Sequence, residues 1–123
     1  MVRDYKELEV RKKSVAIATT LYRLTSGFPN AERYGLSSQI RGAAVSIAAN
    51  TAEGWGKGSA GEYIQFLKVA RGSLMDVETH LIVSCNLDLI SSDALGAASN
   101  EIEEIGKLLN GLIGALKSRK ARL

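Results

Sequence analysis

The stretch Ser46–Ala60, SIAANTAEGWGKGSA, settles how the chain is organised. It begins inside an apolar helical pattern, in which Leu36, Ile40, Ala43 and Ile47 step by four, three and four. That spacing marks one buried stripe of a helix. Gly54, Gly56 and Gly58 then end the pattern. Ser59, followed three residues later by Glu62, forms a capping box and opens a new helix at Ala60. A helix, a short glycine turn and a second helix predict an antiparallel pair.

Similar punctuation recurs along the chain. A first helix over about residues 5–26 carries Leu8, Val15, Ile17, Leu21 and Leu24 as its apolar face, and Gly27 and Pro29 stop it. After the turn GFPNAERYG, the second helix spans about 33–55. Gly42, Ala43, Ala44, Ala48 and Ala49 make it thin, so a neighbouring helix can approach closely. The third spans about 60–84, with Tyr63, Phe66, Leu67, Ala70, Leu74, Val77 and Leu81 on its face. Ser91 or Ser92 caps the fourth, over about 93–118, and Asp93 suits its positive end. Ala98, Ile102, Ile105, Leu109, Leu112 and Leu116 give it the cleanest heptad in the chain. Four such segments joined by short loops predict an all-α, antiparallel up-down-up-down four-helix bundle, with residues 1–123 as one domain.

Composition narrows the function. The chain has 123 residues, 46% of them hydrophobic and 24% charged, with one proline and a net charge of +3. This mildly basic balance permits nucleic-acid contact without demanding it. The single Cys85 excludes an internal disulfide and a cysteine zinc cluster and is expected as a small buried hydrophobe. The charged start, MVRDYKELEV, is no signal peptide, and no apolar run approaches the roughly 20 residues that span a bilayer. A cytoplasmic protein without membrane association is expected.

Catalytic patterns are missing. A di-metal bundle site needs Glu-x-x-His on two helices, but the only histidine, His80, lies off the 70-74-77-81 seam and is expected at the surface or its boundary. No serine or threonine stands in a recognisable relation to it. GWGKGSAGE is glycine-rich and opens a helix, yet it follows no strand, and Gly58 occupies the Ser/Thr place of a phosphate loop. No metal, no cofactor and no enzymatic activity are expected.

Asn50 and Glu53 require a different account. Extending the seam 36-40-43-47 gives 50 and 54, which places Asn50 at a core position with Gly54 below it. A buried amide without a partner costs about 1–3 kcal/mol. Glu53 lies within a turn of Asn50, while Arg41 and Glu78 lie at the seam edges of the second and third helices. Arg41, Asn50, Glu53, Gly54 and Glu78 are therefore expected to form a polar network that fixes register at the bundle end, or else a polar pocket at an oligomer surface or partner groove.

Nine of the sixteen Lys and Arg lie in the first 58 residues, and four of the other seven lie in the tail. The candidate phosphate contacts are Arg3, Lys6, Arg11, Lys12 and Lys13, with Arg119, Lys120 and Arg122 after the fourth helix. Helices one and four run oppositely, so both clusters are expected at one end. No aromatic-rich platform for reading single-stranded bases is visible, so shape and charge would dominate.

The segment Glu32–Leu81 resembles the four-helix-bundle proteins encoded in 23S rRNA intervening sequences. The likeness is carried by RYGLSSQIR-x-AAVSI, by Asn50, Ala52, Glu53 and Gly54 as N-x-A-E-G, and by the run from Tyr63 to Leu81. The segments Tyr5–Phe28 and Glu101–Lys117 are similar as well. The resemblance implies a homopentamer that binds nucleic acid, RNA or DNA, often linked to the ribosomal RNA carrying the insertion. A related branch implies an alternative, a scaffold accessory to the reverse transcriptase of diversity-generating retroelements. Family members often carry proline where this chain has Ala48, which implies a straighter second helix here. A fivefold ring would raise the charge to about +15.

Overall fold

The computed structural model describes residues 5–121, without the side chains of residues 120 and 121. Four α-helices make up the bundle: α1 (Tyr5–Thr25), α2 (Leu36–Trp55), α3 (Ala60–Asn86) and α4 (Ser92–Ala121). A short 3-10 turn, Asn30–Glu32, lies between α1 and α2, and no strand occurs among the described residues. Each helix packs on its sequence neighbours, and α1 also packs on α4. This is the expected four-helix arrangement. Helix α2 starts three residues later than the sequence pattern suggests, because Gly35 precedes its first turn and the segment before it forms the 3-10 turn.

The helix ends follow local chemistry. The Ser59 hydroxyl accepts from the Glu62 backbone N–H at 3.2 Å, which caps α3, and donates to the Glu62 carboxylate at 3.1 Å, so the carboxylate meets the Ser59 side chain where a full capping box would use its backbone N–H. The Ser91 hydroxyl accepts from the Ala94 N–H at 3.0 Å and caps α4. At the end of α3, Asp88 takes a left-handed conformation (φ 62°). The Leu89 N–H then reaches Ser84 O at 2.9 Å and the Asp88 N–H reaches Cys85 O at 3.0 Å. This Schellman closure reverses the chain without a glycine.

The core comprises stripes from all four helices. The α4 heptad is buried throughout, as are Leu67, Ala70, Leu74, Val77 and Leu81 of α3. Two expected stripes shift. On α1 the buried positions are Glu7, Val10, Ser14, Ile17, Leu21 and Thr25, while Leu8 and Val15 are 58% and 57% exposed. Steps of three and four govern burial, and the polar Glu7 and Ser14 occupy places that hydropathy alone assigns to Leu8 and Val15. On α2 the buried series is Ser37, Ile40, Ala44, Ile47, Thr51 and Gly54. Thr51, not Asn50, fills the core position, and its hydroxyl donates to Ile47 O at 2.8 Å. Cys85 is half-buried against the core and His80 is half-buried.

Gly54 marks the closest approach of α2 and α3. A Cβ there would lie 2.7 Å from the Cβ of Phe66 and 3.0 Å from a ring carbon of Tyr63. Neither neighbour can swing clear, because one is the root of its side chain and the other belongs to a fully buried ring. Gly54→Ala is expected to lose stability: overpacking costs about 1–3 kcal/mol and exceeds the roughly 1 kcal/mol of helix propensity that alanine adds. The equivalent change at Gly42, where nothing lies within 4 Å, is expected to hold or raise the melting temperature. Thermal melts of the two variants beside the parent check this contrast.

Candidate nucleic-acid interface

The two expected basic clusters lie at different levels of the bundle: Arg11–Lys13 are level with the middle of α4, about 20 Å along the axis from Lys117. Lys13 of α1 pairs with Glu104 of α4 at 3.2 Å. The Lys6 stem lies against Gly111, where an added Cβ would sit 3.0 Å from Lys6 Cε. These two contacts fix α1 antiparallel to α4. Lys117 therefore lies about 9 Å beyond the level of Lys6 along the axis, at 1.5 Å per residue. Arg11, Lys12, Lys117 and Arg119 are exposed. Arg3, Arg122 and the Lys120 side chain lie outside what the structure describes.

The three consecutive cations do not form one patch. Lys13 is committed to Glu104, and Lys12 is exposed on the outer side of α1. Arg11 lies near enough to Tyr63 to favour its ionised form. Lys6 stacks over the Tyr5 ring at 4.8 Å. Lys57, in the turn between α2 and α3, lies beside the start of α1. It pairs with Glu53 at 3.3 Å and lies 5.5 Å over the Phe66 ring. The sequence reading missed it because the glycine turn reads as a hinge, while the antiparallel topology brings that hinge beside the start of α1.

The five-residue polar network does not assemble. Asn50 donates to Ser46 O at 2.9 Å and to Ser46 Oγ at 2.8 Å, and Ser46 Oγ meets Ser73 Oγ at 2.9 Å. The amide thus serves a serine bridge between α2 and α3. Glu53 is exposed and paired to Lys57, and Gly54 is a packing position. Arg41 lies nine residues from Asn50, about 13 Å along the helix, and works at the other end of the bundle. Its Nε donates to Thr25 Oγ1 at 2.8 Å, and its Nη2 donates to Tyr22 O at 3.0 Å and Ser26 Oγ at 3.3 Å. It so ties the last turn of α1 to α2. Glu78 is half-buried and bonds to neither Arg41 nor Asn50.

Two features were not legible in the sequence. The first is a set of buried polar groups on α1 and at the start of α3. Glu7 Oε1, Ser14 Oγ and Tyr63 Oη are buried without a hydrogen bond of ordinary geometry. Burial pushes the Tyr63 hydroxyl well above its usual range, and the facing Glu7 carboxylate pushes it further. The second is an apolar groove of about 450 Å³ between α1 and α2, lined by Val15, Ala18, Thr19, Tyr22, Val45 and Ala48. No group of three His, Cys, Asp or Glu converges on a metal-sized site among the described residues, and no described helix is long and apolar enough to cross a membrane.

The family model of the 23S rRNA-intervening sequence protein matches residues 6–111 of this chain. The chain belongs to that family. A crystal structure of a protein of unknown function from the S23 ribosomal protein family of Bacteroides thetaiotaomicron superimposes with a TM-score of 0.83 at 26% identity. The alignment covers 89% of this chain and 98% of that one. No curated protein matches the chain. The match to the 23S rRNA-intervening sequence protein family spans the basic start of α1, the serine bridge and most of α4, so it covers both halves of the bundle. It stops at residue 111, before the cations that follow on α4.

The neutral Tyr63 hydroxyl gives the fold a specific alkaline response. Its pKa is raised in the folded state, so the folded chain holds that proton where the unfolded chain releases it. The stabilisation is complete below about pH 10 and is lost as pH rises above it. Tyr63→Phe is expected to change stability little at pH 7, since the hydroxyl lacks a well-formed bond. It should also flatten the decline above pH 10 relative to the parent. Urea unfolding of both proteins between pH 8 and 11 measures the difference.

Proposed function

We propose that this member of the 23S rRNA-intervening sequence protein family binds nucleic acid through charge and shape, in the cytoplasm, as a homo-oligomer and without catalysing a reaction. The reading is supported by the exposed cations of the adjacent antiparallel helices α1 and α4 and by the commitment of several carboxylates near them. Glu7 is buried, Glu53 is held by Lys57 and Glu104 by Lys13. Arg11, Lys12, Lys117 and Arg119 remain for phosphates, and each neutralised phosphate releases counterions and adds affinity. Assembly would multiply this sparse set. The apolar groove on α1 and α2 and the exposed Val69, Met75 and Ile82 of α3 are different surfaces. Contact between them would be head-to-tail and would close into a ring, a pentamer by the resemblance.

The same groove supports a second reading, a protein-interaction scaffold such as an accessory to a reverse transcriptase. An apolar groove suits a partner helix better than a phosphate backbone.

Titration of a labelled 23S rRNA fragment separates the readings. The parent is expected to bind, and the quadruple variant Arg11→Gln, Lys12→Gln, Lys117→Gln and Arg119→Gln to bind at least tenfold more weakly with an unchanged melting temperature. Equal affinity of the two proteins, or no binding at low salt, would refute the RNA reading and leave the scaffold.

A further inference from the structure

Helix α1 carries two lines of residues at heptad spacing. Val10, Ser14, Ile17 and Leu21 face the core. Beside them Leu8, Arg11, Val15, Ala18 and Tyr22 also step by three and four, and this second line borders solvent. Leu8, Val15 and Tyr22 are 58%, 57% and 43% exposed. On α2 the series Arg41, Val45, Ala48, Ala52 and Trp55 repeats the spacing, and Val45 is 44% exposed. The two lines flank the apolar groove of about 450 Å³, whose most buried lining residues are Ala18 and Ala48. From Leu8 to Tyr22 the α1 line runs about 21 Å along the helix axis.

That shape fits a helix. An extended segment would need free backbone donors and acceptors beside it, but α1 and α2 spend theirs within their own turns. The Thr19 hydroxyl on the groove also turns back, donating to Val15 O at 3.0 Å. Two parallel lines at heptad spacing instead form the holes that receive the knobs of a further helix. Ala18 and Ala48 leave those holes deep, so the incoming helix must bring large aliphatic side chains.

Charge selects the occupant. No Asp or Glu stands on either line. Arg11 stands on the α1 line, and Lys12 and Arg23 come one residue after Arg11 and Tyr22. All three are exposed, and none pairs with a carboxylate among the described residues. Arg41 adds a fourth cation, 4.7 Å over the Tyr22 ring. The groove is therefore bordered by positive charge toward both ends. A second copy docked groove to groove about a two-fold axis would set these cations against one another. A helix with carboxylates beside its apolar stripe would meet them with opposite charge. We infer that the groove between α1 and α2 is the docking site for an acidic amphipathic helix of a partner protein, with large aliphatic side chains over Ala18 and Ala48 and carboxylates toward Arg11, Lys12 and Arg23.

This inference rests on the scaffold reading of the groove and adds the chemistry of the partner. The test titrates the full chain with three labelled three-heptad peptides that carry leucine at the a and d positions. One is flanked by glutamate, one by glutamine and one by lysine. Fluorescence anisotropy reads binding, and the methyl resonances of Ala18 and Ala48 report where it occurs. The glutamate peptide is expected to bind, to move both methyls and to bind at least fivefold tighter than the glutamine peptide, while the lysine peptide does not bind. Val15→Glu, at an exposed position, is expected to weaken the glutamate peptide at least tenfold with an unchanged melting temperature. Equal affinity for the glutamate and glutamine peptides overturns the acidic assignment and leaves the scaffold reading standing. Binding of none of the peptides, or binding that leaves both methyls unmoved, overturns the scaffold reading of the groove as well. Sedimentation of the parent and of Val15→Glu without peptide is expected to give equal masses. A lower mass for Val15→Glu assigns the groove to a second copy of the chain and overturns the partner helix.

Discussion

The structure depends on how closely α2 and α3 approach. Gly54 lies directly against the root of Phe66, and a serine from each helix meets at 2.9 Å partway along the seam. Small residues at these positions let the two backbones run close together. The bulk of the core is shared: α3 contributes Tyr63, Leu67, Leu74 and Leu81, α4 contributes Ile102, Ile105, Leu109 and Leu112, and α2 only Ile40 and Ile47. The division explains why a helix with as many alanines and serines as α2 stays in the middle of a stable bundle. It also explains Asn50. An amide beside Ser46 supports the hydroxyl that bridges the helices, so its partner lies on its own helix one turn back.

Much of the fold was legible because its signals are periodic or local. The heptad of α4 and the Ser59 cap depend only on spacing within a few turns. Where polar residues occupy core positions, hydropathy misleads. Glu7, Ser14 and Thr51 fall on the true period, and the apolar residues beside them attracted the reading instead. The consequence is functional as well as structural: Leu8 and Val15, expected in the core, are surface residues, and Val15 lines the groove between α1 and α2.

The candidate site was legible in part. Antiparallel topology sufficed to place the start of α1 and the end of α4 together. Which cations remain available depends on cross-helix partners such as Glu104 for Lys13, and no sequence spacing states them. Arg41 and Asn50 belong to one motif in the chain but serve opposite ends of the helix, because nine residues of α-helix separate them. The motif is thus a record of two independent jobs, closing the α1–α2 elbow and bridging α2 to α3. A sequence motif without the helix axis in mind suggests a single network.

The molecule therefore presents exposed cations along α1 and α4, an apolar groove between α1 and α2 and a polar elbow where those two helices join. Its central claim is that phosphate charge drives RNA binding. The most direct test is the slope of log Kobs against log salt for the RNA complex. Four phosphate contacts predict a slope near −3 per protomer engaged, at about −0.7 per contact on a single strand. A slope near zero would contradict the account, since affinity without counterion release cannot come from the exposed cations.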